Sequence, residues 1–533
     1  MEERPGKKAR IAGPGDCFAK GLLDTSEEQS KAYAASEPYQ HACIPQLFDD
    51  DLLHAVKAEI LANLVFTEKE TDIYKVRQTG DLANLDGLEQ SEKQKLKYIA
   101  QVREALYSVP FRTYLRKVTG VGPLSGSKID MSINNYTQGC HLLNHDDVIG
   151  TRSVSYILYL PDEGWQPTDG GALELYPVKT KGIPVDEPSL TLPPSWNQFI
   201  FFAVQPGHSF HSVEEVVSKK NRLSISGWFH VAQPGEEGYD ARATDLANEE
   251  EAKAKSTLEQ LLATDDAQFD AYPESTEFPD VLSEEALTEL STVMNPQYLS
   301  PVTLKQVNEQ FCNDSYIQLS SILRKDLADK LKKVLVEADA HDKIDGSIMT
   351  PHGTGVGNGW KVEGPPHRHR YLRLASSSEV PPDAAADTLR QIEKVVASDA
   401  FRTWLALVTA LQPESRFTCA RRFRPGLDYT LATANQRLLL DVNLCLTPAK
   451  PVWEEGEVGG YLCFMAPHGD EDAAVYKASA DDEEDGVLLT AHAAWNEMTI
   501  VMRDTGVLSF TKYVAVASGA SRWDIAGQYP VAD

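Results

Sequence analysis

Behind the acidic cluster Asp49-Asp50-Asp51, apolar residues recur at Leu53, Val56 and Ile60, the spacing of one helix face opened by residues that cap helix N-termini. A second helix is predicted over 92–106. From about residue 128 the helical period gives way to short runs rich in Ile, Leu, Phe, Tyr and Val, broken by Gly, Pro and Asp. The pattern predicts strands at 128–136, 153–160, 171–176, 198–204 and 222–231. Helices first and strands after imply an α+β fold. The natural assembly is a jelly-roll of mainly antiparallel strands with helices packed on one side and the inter-sheet cleft free for a site.

The pattern is written twice. FRTYLRKVTG at 111–120 returns as FRTWLALVTA at 401–410, and neighbouring features recur in the same order. The helix opening at Phe48-Asp49-Asp50-Asp51 has a partner at Leu323-Arg324-Lys325-Asp326, Gly170-Gly171 at Gly459-Gly460, and Trp196-Asn197 at Trp495-Asn496. Gly207 continues to Gly506, Arg222 to Arg522 and Gly227 to Gly527. Two copies of one domain follow, the second carrying an acidic loop insertion that ends in Asp481-Asp482-Glu483-Glu484-Asp485-Gly486. The expected organisation is a disordered N-terminal arm over 1–35, a first domain over 36–235, an acidic linker over 236–280 with a solvated helix at 249–262, and a second domain over 281–533.

Composition narrows the class. The 533 residues carry 51 basic and 79 acidic side chains, a net charge of −28. Such a charge repels phosphate backbones and attracts basic partners, so direct nucleic-acid binding is not expected. No apolar run approaches membrane-spanning length. Seven scattered cysteines without a C-x-x-C pair argue against a disulfide framework and for a reducing compartment. The polar start of the chain has no secretory pattern, and Lys7, Lys8 and Arg10 form a short basic patch of the kind that nuclear import uses. The expected location is cytoplasm and nucleus.

The chemistry lies in the first copy. His145-Asp146-Asp147 precedes a predicted strand, and in extended backbone His145 and Asp147 point to one side. Asp146 then falls on the other face, in a supporting or solvent-facing role. His211 follows the aromatic strand and lies 11 residues before Arg222-Leu223-Ser224. Two histidines and one carboxylate leave three adjacent coordination positions open, the arrangement of non-haem iron(II) oxygenases. Two positions suit the 2-oxo acid end of 2-oxoglutarate and the third dioxygen. Arg222 with Ser224 on one strand face supplies a fixed fork for the far carboxylate, and Tyr159 is a further candidate donor. His208 competes with His211, but spacing to the arginine favours His211. His141 and His230 read as structural histidines, and His367-Arg368-His369 as a solvated basic turn.

NNYTQGCHLLNHDDVIGTRSVSYILYLPD, DGGALELY and SFHSVEEV followed by RLSISGWFH resemble the 2-oxoglutarate oxygenases that hydroxylate a proline of a small-subunit ribosomal protein. The resemblance covers nearly the whole chain. It implies two tandem double-stranded β-helix domains of which only the first is catalytic, iron(II) on His145, Asp147 and His211, and 2-oxoglutarate on Arg222, Ser224 and Tyr159. It also implies dioxygen as co-substrate, ascorbate for sustained activity, a basic ribosomal protein as partner, and an effect on translation. In the second copy Phe510 stands where His211 should be, and 431–434, the counterpart of 145–147, has neither histidine nor carboxylate. That copy is expected to be a scaffold or docking module, with Arg522 a structural remnant. The alternatives are a non-enzymatic module of translation-termination or messenger-RNA complexes, and the same chemistry on another protein.

Overall fold

The structure is a computed structural model describing residues 14–87, 89–241, 268–273, 278–375, 382–448, 450–454, 456–466 and 486–531. The described residues form two compact units. The first comprises the chain up to Lys69, Tyr74–Pro184 and Pro188 onward; the second comprises Glu70–Ile73, Val185–Glu187 and everything from residue 268.

The first unit contains helices α1 (Ser26–Ala34), α2 (Asp50–Asn63), α3 (Lys97–Leu106) and α4 (Val109–Thr119). Its main strands are β1 (His41–Ile44), β2 (Tyr74–Gln78), β3 (Leu124–Tyr136), β4 (His141–His145), β5 (Arg152–Tyr159), β6 (Leu173–Leu175), β7 (Leu190–Leu192), β8 (Phe199–Ala203), β9 (His211–Val213) and β10 (Arg222–Val231). They pair antiparallel in the order β1-β8-β5-β10-β3-β2-β4-β9-β6-β7. Side chains alternate across these strands. On β10, Leu223, Ile225 and Phe229 join Phe111, Leu115 and Val102 in the helix-side core, which leaves Arg222, Ser224 and Ser226 on the opposite face. Asp49 caps α2 as its sequence predicts, its carboxylate accepting from Asp51 and Leu52 N–H.

Two expectations for this unit need correction. The arm predicted to be disordered over 1–35 is ordered from residue 14: α1 is a helix, and Cys17, Phe18, Leu22 and Tyr33 are buried. Phe18 stacks on Phe48 at 5.0 Å and Phe111 at 4.8 Å, so a few sparsely spaced apolar side chains anchor a polar stretch. Residues 1–13, with Lys7, Lys8 and Arg10, lie outside the described residues. The single helix predicted over 92–106 breaks at Leu96 into Gln90–Lys95 and α3. The cause is the Glu59 carboxylate of α2, which accepts from Ile99 N–H at 2.8 Å and so caps a new helix start.

In the second unit, helices α5 (Lys325–His341), α6 (Ala384–Val396) and α7 (Asp399–Thr409) accompany β11 (Tyr316–Ser320), β12 (Ser415–Phe423), β13 (Thr433–Ala434), β14 (Leu439–Leu446), β15 (Leu462–Met465), β16 (Val487–Ala491), β17 (Trp495–Arg503), β18 (Leu508–Thr511) and β19 (Arg522–Pro530). One sheet runs β11-β17-β14-β19-β12 and another β13-β18-β15-β16. Strand for strand this repeats the first unit. The repeated residues do repeated work. Asn197 and Asn496 both take positive φ, 62° and 57°, and their side-chain oxygens accept from Phe48 N–H at 3.0 Å and Leu323 N–H at 2.8 Å. Ser108 and Ser398 cap the two FRT helices.

Both ends of the predicted linker belong to the units. The Glu236 carboxylate accepts from Gly126 and Ser127 N–H at 2.9 and 3.0 Å; burial opposes its charge, but these and other hydrogen bonds pull the carboxyl down to about 2. At the other end Asp270–Ala271 pairs with Ser415–Arg416. Residues 249–262 and the acidic run 481–485 lie outside the described residues. Among those described, no helix is long and apolar enough to cross a membrane, and the seven cysteines are unpaired.

Candidate active site

Strands β4 and β9 pair so that His145 lies opposite His211. Asp147 stands beyond the end of β4 with φ 62°. Strand alternation, which the sequence pattern predicts to aim His145 and Asp147 the same way, therefore does not extend to Asp147: the two side chains converge through a left-handed turn. Asp147 Oδ1 is 3.2 Å from His145 Nε2 and Oδ2 is 3.4 Å from His211 Nε2. One ligand atom from each of the three residues lies within 4.8 Å of the others, the one such group among the described residues. The outer nitrogens are fixed by main chain, His145 Nδ1–H donating to Leu143 O at 2.8 Å and His211 Nδ1–H to Ser209 O at 2.9 Å. Both Nε2 lone pairs thus face the centre. Burial opposes charge on Asp147, yet the adjoining His211 and His145 hold its carboxyl well below the usual range. Two inward imidazole nitrogens and a carboxylate suit a divalent metal.

Asp146 has a supporting role. It is buried, its carboxylate accepts from Gly207 N–H at 3.1 Å, and its carbonyl accepts from Ser209 Oγ–H at 3.0 Å, tying the loop before His211 to the loop after His145.

Arg222 and Ser224 are both 1 % exposed and Tyr159 is fully buried. Arg222 donates through Nε to Gly171 O at 2.6 Å and through a terminal nitrogen to Tyr159 Oη at 3.3 Å. Its guanidinium lies 4.7 Å from the Tyr136 ring centre and 4.8 Å from that of Tyr159, and Ser224 pairs with Tyr159 across the strands. Among the described residues Arg222 has no ion pair to a carboxylate. Farther along the same sheet face, Asn134 donates to Ser226 Oγ at 2.6 Å, and the Arg152 guanidinium lies 3.4 Å from the Trp228 ring centre.

The structure leaves the other histidines outside the triad. His208 sits in the turn before β9, His141 Nδ1–H donates to Gly139 O, and His230 meets Thr151 Oγ1 at 3.0 Å. The basic turn expected to be solvated at 367–369 is half-buried at Arg368 and His369 and closed at His367. His367 is 1 % exposed, and burial with Arg368 pushes His367 down to about 3 and His369 to about 4.

Sequence reasoning missed Ser155, whose hydroxyl donates to Asp147 Oδ2 at 2.9 Å, and Tyr136 over Arg222. Strand parity could have found both. Ser155 shares a face with Tyr159 four residues on, and Tyr136 pairs with Arg222. Behind β9, Glu174 accepts from Ser212 Oγ–H at 2.7 Å, and burial together with Glu174 pushes Glu214 up to about 7.

In the second unit Thr433 pairs with Ser509 and Ala434 with Leu508, which sets Ala432 and Phe510 at the places of His145 and His211. Both belong to an apolar cluster with Cys463, Met465 and Leu508. Arg522 is ion-paired with Asp524.

Residues 131–230, which carry the triad and Arg222, match the 2OG-Fe(II) oxygenase superfamily, and residues 285–533 match a family described as "Oxoglutarate and iron-dependent oxygenase degradation C-term". Fold and site thus define an oxygenase working with iron(II), 2-oxoglutarate and dioxygen. The chain is 35% identical to Prolyl 3,4-dihydroxylase OGFOD1 of Ostreococcus tauri over 92% of its own length and 95% of that protein. It is 26% identical to Prolyl 3-hydroxylase sudestada1 of Drosophila melanogaster over 92% and 82%. To Prolyl 3-hydroxylase OGFOD1 of Xenopus laevis it is 39% identical over 37% and 35%. The chain belongs to the OGFOD1 family of 2-oxoglutarate- and iron(II)-dependent prolyl hydroxylases.

Proposed function

We propose that His145, Asp147 and His211 hold iron(II), that Arg222, Ser224 and Tyr159 hold 2-oxoglutarate, and that the substrate is a prolyl residue of a basic small-subunit ribosomal protein. The observation that carries the site assignment is Arg222. A guanidinium buried to 1 % exposure, which feels the Glu214 carboxyl but has no ion pair to a carboxylate among the described residues, is costly unless an anion completes it. It lies on the face of β10 that points away from the helix-side core, where it would hold the far carboxylate of 2-oxoglutarate.

The bound metal and co-substrate supply oxygen activation coupled to decarboxylation of 2-oxoglutarate to succinate and carbon dioxide. The chain's own residues do the rest. His145 and His211 present lone pairs fixed by main-chain hydrogen bonds, and Asp147 stays anionic between them. Arg222 and Tyr159 orient the far carboxylate, the rings of Tyr136 and Tyr159 keep water from that end, and the Phe202 ring, 5.0 Å from that of His211, does so at the metal end.

For the substrate, the relatives named above are prolyl hydroxylases, and the sequence resembles enzymes acting on a ribosomal protein. A net charge of −28 favours encounter with so basic a partner. Action on ribosomal proteins in cytoplasm and nucleus, with an effect on translation and ascorbate sustaining turnover, completes the proposal. Intact-mass and fragment mass spectrometry of small-subunit ribosomal proteins from cells with and without this chain tests it. A proline-localised gain of one or two oxygens that depends on the chain is expected; identical spectra overturn the substrate assignment.

A further inference from the structure

Three side chains form the triad, but they are held in different ways. His145 and His211 are oriented by main-chain carbonyls two residues earlier in the chain. Asp147 lies past the strand end at φ 62°, in a loop whose next apolar residue but one, Ile149, is 45% exposed. Its carboxylate takes one side-chain hydroxyl, that of Ser155, at Oδ2 and 2.9 Å. Ser155 is buried on β5 between Phe202 on one neighbouring strand and Trp228 on the other.

A carboxylate offers about four lone-pair positions and binds hard cations through one oxygen or both. Here the choice matters, because a two-oxygen grip would consume one of the three positions that 2-oxoglutarate and dioxygen require. Resting on the assignment of iron to the triad, we infer that Ser155 is a positioning residue: its hydroxyl reserves Asp147 Oδ2, holds the aspartate to the metal through Oδ1 alone, and so preserves the third open position. At the matching place in the second unit, where no metal group forms among the described residues, the residue is Asp441, paired with Arg503 at 3.3 Å.

The test uses the full chain and its Ser155→Ala and Ser155→Thr variants, loaded with cobalt(II) without oxygen. The visible ligand-field spectrum reports coordination number, calorimetry reports 2-oxoglutarate affinity, and thermal melting reports the fold. Ser155→Ala is expected to melt like the native chain and bind one cobalt(II), but with an altered ligand-field spectrum and about tenfold weaker 2-oxoglutarate binding, the scale of effects seen when a partner of a metal ligand is removed. Ser155→Thr, which keeps the hydroxyl, restores both. An unchanged spectrum and affinity in Ser155→Ala overturn the inference, and so does equal loss in both variants, which assigns Ser155 to packing. If the native chain takes up no cobalt(II), or His211→Ala takes up as much, the triad assignment falls and this inference with it; native uptake with an indifferent Ser155→Ala removes Ser155 alone.

Discussion

On β10 of the first unit Ser224 lies between Asn134 and Tyr159; at the same place on β19 of the second, Asp524 lies between Arg421 and Cys445. Asp524 accepts two hydrogen bonds from Arg421, each at 2.8 Å, and pairs with Arg522. Burial opposes its charge, but the two arginines hold its carboxyl well below the usual range. The arginine common to both units is thus ion-paired within the second unit, whereas in the first Arg222 has no ion pair to a carboxylate among the described residues. Meanwhile the residues that cap helices and turn strands, such as Ser108 and Ser398 or Asn197 and Asn496, are kept in both. Comparing the copies separates what builds the sheets from what performs the chemistry.

The sharpest way to break this comparison is at the triad. His211→Ala should reduce 2-oxoglutarate turnover to that of metal-free protein, while His208→Ala retains most activity. A succinate assay decides, and the reverse result would mean that the wrong histidine has been placed at the metal. Next in size, Arg222→Ala should weaken 2-oxoglutarate binding by about 2–5 kcal/mol, the scale for truncating a buried charged hydrogen-bonding partner. Ser224→Asp should copy the second unit by pairing with Arg222, closing the site while the protein stays folded. In the second unit Asp524→Ala should instead cost about 3–5 kcal/mol of stability, because it strands Arg421 and Arg522, with 2-oxoglutarate affinity unchanged. An affinity change there would break the division of labour.

A smaller effect tests the shared backbone. A Cβ at Gly170 would meet Glu215 O at 2.0 Å, and one at Gly459 would meet Tyr513 O at 1.9 Å, both at positive φ. Alanine at either should lower stability by at least about 1–3 kcal/mol, seen as a drop in melting temperature. Tolerance at one site alone would show that the two turns are not equivalent. A pH-dependent effect concerns Glu214. Because its folded carboxyl is raised to about 7, the native state binds the proton more tightly than the unfolded chain. Stability then falls as pH rises from the ordinary value of 4.5 through about 7 and is level above. Glu214→Gln should remove that slope. A melting-temperature profile unchanged by the substitution would show that Glu214 is not held protonated.

Much of this was readable in the sequence because the informative residues are local. The strand runs, the FRT repeat and the spacing of His211 to Arg222 need no tertiary knowledge, and the structure brings His145, Asp147 and His211 to one point. What escaped depends on the third dimension. Asp147 converges through a left-handed turn that no period announces. Ser155 matters because of what lies across a loop from it, and Leu96 ends a helix because Glu59 arrives from another. The polar N-terminal stretch looked structureless because Phe18 and Tyr33 follow no period and are held by Phe48, Phe111 and the Ala203 N–H, which donates to Tyr33 Oη at 3.0 Å.

The bonds from His145 and His211 to carbonyls two residues earlier recur at His41, to Tyr39 O, and at His141, to Gly139 O. A histidine at such a position is aimed by the peptide chain itself and requires no companion side chain. On an evolutionary scale this makes a metal ligand cheap to gain and cheap to lose. One codon change at the position of Phe510 is enough to remove or install an aimed imidazole, since the strand pairing around it is already in place. A repeated domain can therefore keep its architecture while the residues at one pair of positions differ, an imidazole pair in the first unit and Ala432 with Phe510 in the second.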